Sequence, residues 1–97
     1  MVLEIVDIHI RAAEQVQFEA ALKRGIDEAI SRARGFLSCQ VRHGIESPQR
    51  YLLLIEWETL ENHTIDFRSS PAFQAWRALV GPFFATPPAV EHFQLLP

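Results

Sequence analysis

The feature that most constrains the fold is an unbroken apolar run, Leu52-Leu53-Leu54-Ile55, inside the segment RYLLLIEWE. Successive side chains of a strand point to opposite faces of its sheet, so this run presents apolar groups on both faces. Such a strand is typical of the centre of a sheet that is covered on both sides. A chain of only 97 residues has little sequence left to supply two covers.

Three further strands are predicted around this run. The segment VLEIVDIHI alternates, with Val6, Ile8 and Ile10 on one face, and predicts the first strand. The segment FLSCQVRHGI predicts the second, which the turn residues ESPQ join to the apolar run. The segment AVEHFQLL, after the loop FFATPP, predicts the last.

A helical period replaces strand alternation between the first two strands, from Ala12 to Arg34. Apolar residues recur there every three or four positions, and Gly35 stands where a helix-ending glycine is expected. Gly25 lies on the apolar stripe, where its missing side chain predicts a close contact between this helix and the sheet.

A second helical region is predicted in two pieces. Thr59 can cap the first piece, and Leu60, His63 and Phe67 share its inward stripe. The second piece begins at Ser70-Pro71, with serine as N-cap and proline at the first helical position. Phe73, Trp76 and Val80 form its apolar stripe, and Gly81-Pro82 ends it.

The order of elements predicts one domain, residues 1–97, with an α+β, ferredoxin-like βαββαβ fold. We expect an antiparallel sheet in the order 4-1-3-2, with both helices on one face. The other face of the central strand then needs a cover, and a second copy of the sheet is the natural one. We therefore expect a homodimer.

The composition disfavours several classes of partner. Nine Lys and Arg against twelve Asp and Glu give a net charge of -3 without a basic stripe, so we expect no nucleic acid. No apolar run approaches the ~20 residues of a membrane span, and the first residues lack a signal-peptide pattern. The lone Cys39 permits no intramolecular disulfide, which predicts a reducing compartment and, by default, the cytoplasm.

The stretch YLLLIEWETLENHTIDFRSSPAFQAW…GPFFATPPAVEHF resembles the antibiotic biosynthesis monooxygenase family. Its most specific parts are a strand that ends in Trp57, a capped helix and the Ser-x-x-Phe restart from Ser70 to Phe73. The resemblance covers nearly the whole chain and implies a dimeric α/β barrel, in which two ferredoxin-like protomers pack sheet to sheet. Family members oxygenate aromatic polyketides with O₂ and no cofactor, degrade haem, isomerise small molecules or act on quinols, so a pocket is implied more firmly than one reaction.

Two branches of the family differ from this sequence at their chemical residues. The haem-degrading branch of the family relies on an asparagine on the first strand, and on a tryptophan and an iron-binding histidine in the second helical region. This chain has Asp7 on that strand, and Asp66 and Trp76 near the other positions, so we expect no haem. Many other members carry a histidine a few residues after His63. The anthrone oxygenases use asparagine, tryptophan and tyrosine side chains. This chain has residues of these types, but none is aligned with a role in that branch: Asn62, Trp57, Trp76 and Tyr51.

His63 is the candidate catalytic residue. It lies on an inward stripe near a helix N-terminus, which lowers a histidine pKa and favours the neutral form that a general base needs. Asp66 could orient the ring, although it points off the stripe. The alternative is a structural histidine that is bonded to a backbone carbonyl at the edge of the core.

The candidate substrate-binding residues are the aromatic side chains around His63, which are Trp57, Phe67, Phe73, Trp76 and Phe84. They could be ordinary core. A break between two helical pieces that is followed by a loop is also where a small apolar pocket can open over a sheet, and a flat aromatic ligand would suit it. Arg68 and Arg77 would then either bind an acidic group at its mouth or remain solvated.

The other histidines give no predicted metal site. His9 and His92 lie on neighbouring antiparallel strands and are expected opposite or diagonal to each other, whereas His43 lies near Tyr51. A metal would need a third ligand on a shared face, so a polar rim is expected. Two functions stay open: a cofactor-independent monooxygenase that acts on an aromatic or quinol-type molecule with O₂, and a non-catalytic dimeric module that binds a small ligand.

Overall fold

A computed structural model describes all 97 residues. The strands are β1 (Val2–His9), β2 (Phe36–His43), β3 (Arg50–Trp57) and β4 (Ala89–Gln94), and the α-helices are α1 (Gln15–Glu28) and α2 (Pro71–Val80). Short 3₁₀ turns span Ile30–Arg32 and Gly81–Phe83, and a π-helical turn spans Asn62–Phe67. None of these helices combines the length and apolarity that crossing a membrane requires.

The four strands form one antiparallel sheet in the order β2-β3-β1-β4. This is the predicted order 4-1-3-2, counted from the opposite edge, so the ferredoxin-like α+β fold is confirmed. β1 lies between β3 and β4, with Glu4 opposite Ile55 on one side and His92 on the other. β3 is central, as its doubly apolar run predicts.

The apolar run of β3 divides between the two faces of the sheet. Leu53 and Ile55 are buried, whereas Leu52 and Leu54 are half-buried on the opposite face. Phe93 of β4 shares that opposite face and is 47% exposed. Because this apolar face stays partly open within one chain, it supports the homodimer, which remains a prediction.

The core lies between the helices and the inward face of the sheet. Phe18 of α1 packs on Tyr51 of β3, with ring centroids 4.9 Å apart. Full burial of one such large apolar side chain contributes roughly 1.5–3 kcal/mol. The other largest fully buried side chains are Trp57, Ile8, Ile30, Leu53, Ile55 and Val80.

The first helix is shorter than the sequence predicts. The helical period runs from Ala12 to Arg34, but α1 spans only Gln15–Glu28 and a 3₁₀ turn, Ile30–Arg32, follows it. Ala29 leaves the helical conformation with φ −123°. Ile30 is nevertheless buried, so the tighter turn continues the apolar pattern after the α-helix has ended.

Two glycines have different neighbours from those predicted. Gly35 has a left-handed φ of 82°, but it follows the 3₁₀ turn, and the Asn62 side chain occupies the space that a Cβ would need. Gly25 permits close contact with α2 rather than with the sheet. A Cβ at Gly25 would lie 2.6 Å from Cε3 of Trp76, so any larger residue would push this indole.

Candidate active site

A cavity of about 560 Å³ opens between the sheet and the second helical region. Its wall contains every residue that the sequence proposes for a site, namely His63, Trp57, Phe67, Phe73, Trp76 and Phe84. The fold therefore brings the predicted catalytic residue and the predicted substrate-binding residues to one place. Their roles remain predictions.

A π-helical turn positions His63 in this wall. The stripe in the sequence assumes an α-helical period, whereas Asn62–Phe67 form a wider turn in which the Arg68 N–H donates to the His63 carbonyl, five residues back, at 3.2 Å. Asn62 and His63 are buried as a result, and Leu60 is 39% exposed, so the inward placement of Leu60 is wrong. Single π turns are frequent at functional sites.

The predicted caps fix both helical pieces around the cavity. Thr59 Oγ1 accepts a hydrogen bond from the Asn62 N–H at 3.1 Å. Ser70 Oγ accepts one from the Phe73 N–H at 3.3 Å, and Pro71 occupies the first turn of α2. These bonds satisfy N–H groups that would otherwise have no partner at a helix start.

Three polar side chains are connected at one end of the cavity, and we name them the Glu4–His63–His92 chain. Glu4 Oε2 lies 3.3 Å from His63 Nε2, and His63 Nδ1 lies 2.8 Å from His92 Nε2. The Trp57 Nε1–H donates to the other Glu4 oxygen at 2.9 Å. Glu4 and His63 line the cavity and are each 4% exposed, whereas the half-buried His92 lies outside the lining.

The sheet register creates this chain. Glu4 on β1 lies directly opposite His92 on β4, and such cross-strand neighbours lie within contact distance of each other. The π-helical turn then brings the His63 ring onto both. Neither Glu4 nor His92 is among the site residues predicted from the sequence. The available signal is that Glu4 shares the inward alternation of Val6 and Ile8, where a carboxylate is unexpected.

The partners of His63 differ from those expected. Asp66 accepts a hydrogen bond from Asn62 Nδ2 at 3.1 Å and does not contact the His63 ring. No backbone carbonyl binds the ring either, because its two nitrogens face Glu4 and His92.

The expected proximity of His9 and His92 is wrong. β1 and β4 are antiparallel neighbours, but the register sets His92 beside Glu4, while His9 lies at the other end of β1 opposite Arg50. No three His, Cys, Asp or Glu side chains gather in a geometry that could hold a metal ion.

Burial favours the uncharged forms of the two cavity residues. Desolvation raises the pKa of Glu4 to about 7, against the Trp57 hydrogen bond and the Arg68 charge, which lower it. Desolvation lowers the pKa of His63 to about 4, together with the positive charges of Arg68 and His92. Burial and Arg68 also lower the pKa of His92. His63 is thus a neutral imidazole near pH 7, and Glu4 titrates close to that pH.

Aromatic rings form the rest of the wall beside this chain. The Trp57 and His63 rings stack with centroids 5.5 Å apart and planes 24° apart. Phe67 contacts Trp57 at 5.7 Å and meets Phe73 edge-on at 5.6 Å. Such a wall offers flat apolar surfaces next to one polar end, which is the usual composition of a small-molecule site.

Two arginines add positive charge to the cavity. Arg68 and Arg77 both line it and are exposed, and neither forms an ion pair within the chain. The guanidinium carbon of Arg77 lies 5.9 Å from the centroid of the Phe73 ring.

Similar residue types meet at the opposite end of β3, and we name them the Tyr51 cluster (Tyr51, Glu19 and His43). The Tyr51 O–H donates to Glu19 Oε2 at 2.6 Å, and the His43 ring stacks on Tyr51 with centroids 4.3 Å apart. His43 Nε2 lies 2.7 Å from the Pro48 carbonyl and therefore donates to it. These side chains border a groove of about 390 Å³ between α1 and β2.

A family model and a curated relative both match this chain over most of its length. A family model described as antibiotic biosynthesis monooxygenase matches residues 1–79. The chain is 40% identical over 94 residues to YczJ, an uncharacterised protein of Bacillus subtilis strain 168, which covers 97% of this chain and 98% of that protein.

Solved structures share the fold over nearly the whole chain. A Bordetella bronchiseptica protein named for the same monooxygenase family superposes with a TM-score of 0.92 at 42% identity, over 98% of this chain and 96% of that one. SnoaB, a cofactor-independent oxygenase from Streptomyces nogalater, superposes with a TM-score of 0.81 over 97% and 91% of the two chains. At 14% identity, the likeness to SnoaB concerns the fold alone.

Proposed function

Because the chain belongs to the antibiotic biosynthesis monooxygenase family, we propose that it is a small cofactor-independent monooxygenase that acts on an aromatic, quinol-type compound with O₂. One observation carries the proposal: a buried, neutral His63 stands in the wall of an aromatic-lined cavity. The flat rings bind the substrate, and His63 relays its proton.

The proposed reaction begins when a hydroxyl group of the quinol loses its proton to the polar end of the cavity. The resulting phenolate has carbanion character at the neighbouring ring carbon, which gives electrons to O₂ and forms a C–O bond to a peroxide. Protonation of the peroxide, followed by loss of the ring C–H proton and of water, leaves a carbonyl. One oxygen atom enters the product and the other leaves as water, so a naphthohydroquinone and O₂ give a hydroxynaphthoquinone and water.

The chain's own residues assist this chemistry in two ways. A general base at the hydroxyl group contributes typically about 10²–10⁴-fold to the rate. The apolar rings exclude water, which protects the carbanion from simple reprotonation by solvent.

The mouth of the cavity supports a substrate that carries a negative charge. Arg68 and Arg77 are the two cations of the lining and have no ionic partner within the chain. A carboxylate or phenolate placed there would gain charge-assisted hydrogen bonds. The test compares KM for a carboxylated naphthohydroquinone with KM for its neutral parent. Arg77→Gln should raise KM for the carboxylated compound only, and an unchanged KM for both compounds would leave the arginine as a solvated side chain.

The proposed function is tested by oxygen uptake with a panel of naphthohydroquinones, corrected for autoxidation without protein. Under ¹⁸O₂, the product should gain one labelled atom. His63→Ala should lower kcat/KM about 100-fold or more, since it removes the proton-relaying imidazole. The matched control, His43→Ala, should keep wild-type turnover. Unchanged turnover of every accepted quinol by His63→Ala would exclude the catalytic role.

A second function is favoured by one observation, namely that His63 Nδ1 is hydrogen-bonded to His92 while Nε2 lies 3.3 Å from Glu4. In that case the protein is a non-catalytic module that binds a small aromatic ligand, and His63 is structural. Binding of the same quinols without oxygen uptake above background would identify it.

We further propose a cytoplasmic homodimer as the working form. The half-exposed apolar face with Leu52, Leu54 and Phe93 supports the dimer, and the single cysteine supports a reducing compartment. Sedimentation at micromolar concentration should give twice the chain mass, and a monomeric mass would contradict the dimer.

A further inference from the structure

We propose that Glu4 is the acid/base group that meets the substrate, and that His63 and His92 form the path by which it exchanges protons with solvent. This assignment rests on the proposed function, because it names the residues that handle the substrate proton. It differs from direct proton abstraction by His63.

The His63 ring has a neighbour at each nitrogen. Its Nδ1 is hydrogen-bonded to His92 at 2.8 Å and its Nε2 lies 3.3 Å from Glu4 Oε2, so a substrate hydroxyl would compete with one of them for the ring. By contrast, Glu4 Oε1 accepts one hydrogen bond, from Trp57, and Glu4 Oε2 has only the 3.3 Å contact with His63, while a carboxylate oxygen can accept two hydrogen bonds. Glu4 lines the cavity, so it keeps accepting capacity where the substrate binds.

The Glu4–His63–His92 chain can hold its protons in two complete arrangements. In the acid arrangement, the Glu4 O–H donates to His63 Nε2, and the His63 Nδ1–H donates to His92 Nε2. In the base arrangement, the His63 Nε2–H donates to the Glu4 carboxylate, and the His92 Nε2–H donates to His63 Nδ1. The hydrogen bond between His63 and His92 and the 3.3 Å contact between Glu4 and His63 both persist with reversed direction, so a proton can move either way along the three side chains.

The Glu4–His63–His92 chain ends at solvent. No hydrogen bond within the protein uses Nδ1 of His92, and no buried side-chain nitrogen or oxygen lacks a partner. The His92 Nδ1 atom is therefore not buried. One end of the chain faces the cavity and the other faces water.

The proton steps balance without any further reagent. Conversion of the acid arrangement to the base arrangement moves one proton from Glu4 to His63 and one from His63 to His92, and releases one from His92 Nδ1. Glu4 is then a carboxylate that can take the substrate hydroxyl proton from the cavity side. Glu4 later returns that proton to the peroxide. The path through His63 and His92 therefore serves to ionise Glu4 before the substrate covers it.

The surrounding charges suit an exchange near neutral pH. Burial holds the pKa of Glu4 near 7, and Arg68 is the cation whose charge acts on all three members of the chain. Burial and Glu4 raise the pKa of the Cys39 thiol to about 11, so it stays neutral. Asp66 is held by Asn62 and does not enter the chain.

The decisive experiment needs no turnover. Nitrogen NMR of labelled histidine and carbon NMR of the Glu4 carboxyl group are followed through neutral pH. The proton of neutral His63 should change from Nδ1 to Nε2 at the midpoint at which Glu4 ionises. Glu4→Gln should abolish this change of tautomer. A His63 ring that keeps one tautomer, or that becomes doubly protonated as Glu4 ionises, would overturn the relay.

Turnover supplies an independent test of the exit at His92. His92→Ala should slow quinol oxidation, and free imidazole, which fits the vacated space, should restore it. His92→Gln should stay slow with imidazole, because its amide fills the space and bonds His63 without passing protons. Wild-type activity of His92→Ala, or equal rescue of both variants, would overturn the exit path. If no quinol is oxidised, the proposed function fails and the NMR result still decides the relay.

Discussion

Tyr51 and Trp57 begin and end the inward row of β3, and each donates a hydrogen bond to a glutamate. Tyr51 donates to Glu19 on the exposed side of α1, whereas Trp57 donates to Glu4, which is buried on the inward face of the sheet. Each pair also has a stacked histidine ring, His43 or His63. The two ends of one strand therefore share residue types and differ in their access to water.

Solvation separates the chemistry of the two ends. Desolvation raises the pKa of Glu4 to about 7, so this carboxyl group can gain or lose a proton near neutral pH. Burial and Glu19 raise the pKa of Tyr51 above its usual value, so its hydroxyl proton stays in place. Perturbed pKa values cluster at functional sites, so Glu4, which lines the cavity, is the stronger candidate of the two glutamates.

The largest effect is expected when Glu4, rather than Glu19, is replaced by glutamine. Glu4→Gln keeps an acceptor for the Trp57 N–H but cannot ionise, so kcat/KM for quinol oxidation should fall about 100-fold or more. Glu19→Gln is the matched control at the other end and should leave turnover unchanged. Equal losses in both variants would remove the distinction between the two ends.

The pH dependence of stability should separate the two cavity residues. Glu4 titrates higher in the folded chain than its ordinary 4.5, so it makes the free energy of unfolding fall as pH rises from about 4.5 to about 7. His63 titrates lower than its ordinary 6.5, so it makes that free energy rise from about pH 4 to about 6.5. The two slopes oppose each other, so the contributions of Glu4 and His63 should largely cancel where they overlap, and the lowered pKa of His92 adds a rise.

Single substitutions should separate the two contributions when the free energy of unfolding is measured with urea at several pH values. Relative to wild type, Glu4→Gln should make the slope of the free energy of unfolding against pH more positive, and His63→Gln should make it more negative, each by at most about 1.4 kcal/mol per pH unit. A change of the same sign in both variants would contradict the opposite pKa shifts of the two residues.

Overpacking at the helix crossing should have a smaller effect. A Cβ at Gly25 would lie 2.6 Å from Trp76 in the cavity wall, whereas one at Gly81 has nothing within 4 Å. Gly25→Ala should lower the free energy of unfolding by roughly 1–2 kcal/mol, after its gain in helix propensity. Gly81→Ala should be neutral or slightly stabilising. Thermal unfolding of the two variants makes the comparison, and equal stability would show that the indole moves without strain.

The smallest effect is expected at the Tyr51 end. Tyr51→Phe removes the hydrogen bond to Glu19, whose exposed carboxylate is then hydrated by water. The free energy of unfolding should fall by about 1 kcal/mol, and quinol turnover should not change. A loss of turnover in Tyr51→Phe would move the site to the other end of β3.

Local patterns in the sequence predict much of the fold. The doubly apolar run identifies β3 as the central strand, and Ser70-Pro71 marks the start of α2 because proline and a serine cap are both favourable there. The position of the aromatic side chains and of His63 at one cavity follows from this order of elements.

The rest depends on geometry that the sequence does not carry. An α-helical period cannot indicate a π turn, so the burial of Asn62 and the exposure of Leu60 were not predictable from it. The pairing of Glu4 with His92 depends on the register of two strands distant in sequence, and a shift of one residue would separate them.

The central claim is that the ligand site is the cavity at the Trp57 end. The most direct measurement is a crystal structure of the protein with a naphthohydroquinone, prepared without oxygen. We predict the aromatic rings in the 560 Å³ cavity, with one hydroxyl group within hydrogen-bond distance of Glu4. A quinol in the groove beside Tyr51 and His43, with the cavity free of ligand, would contradict the account.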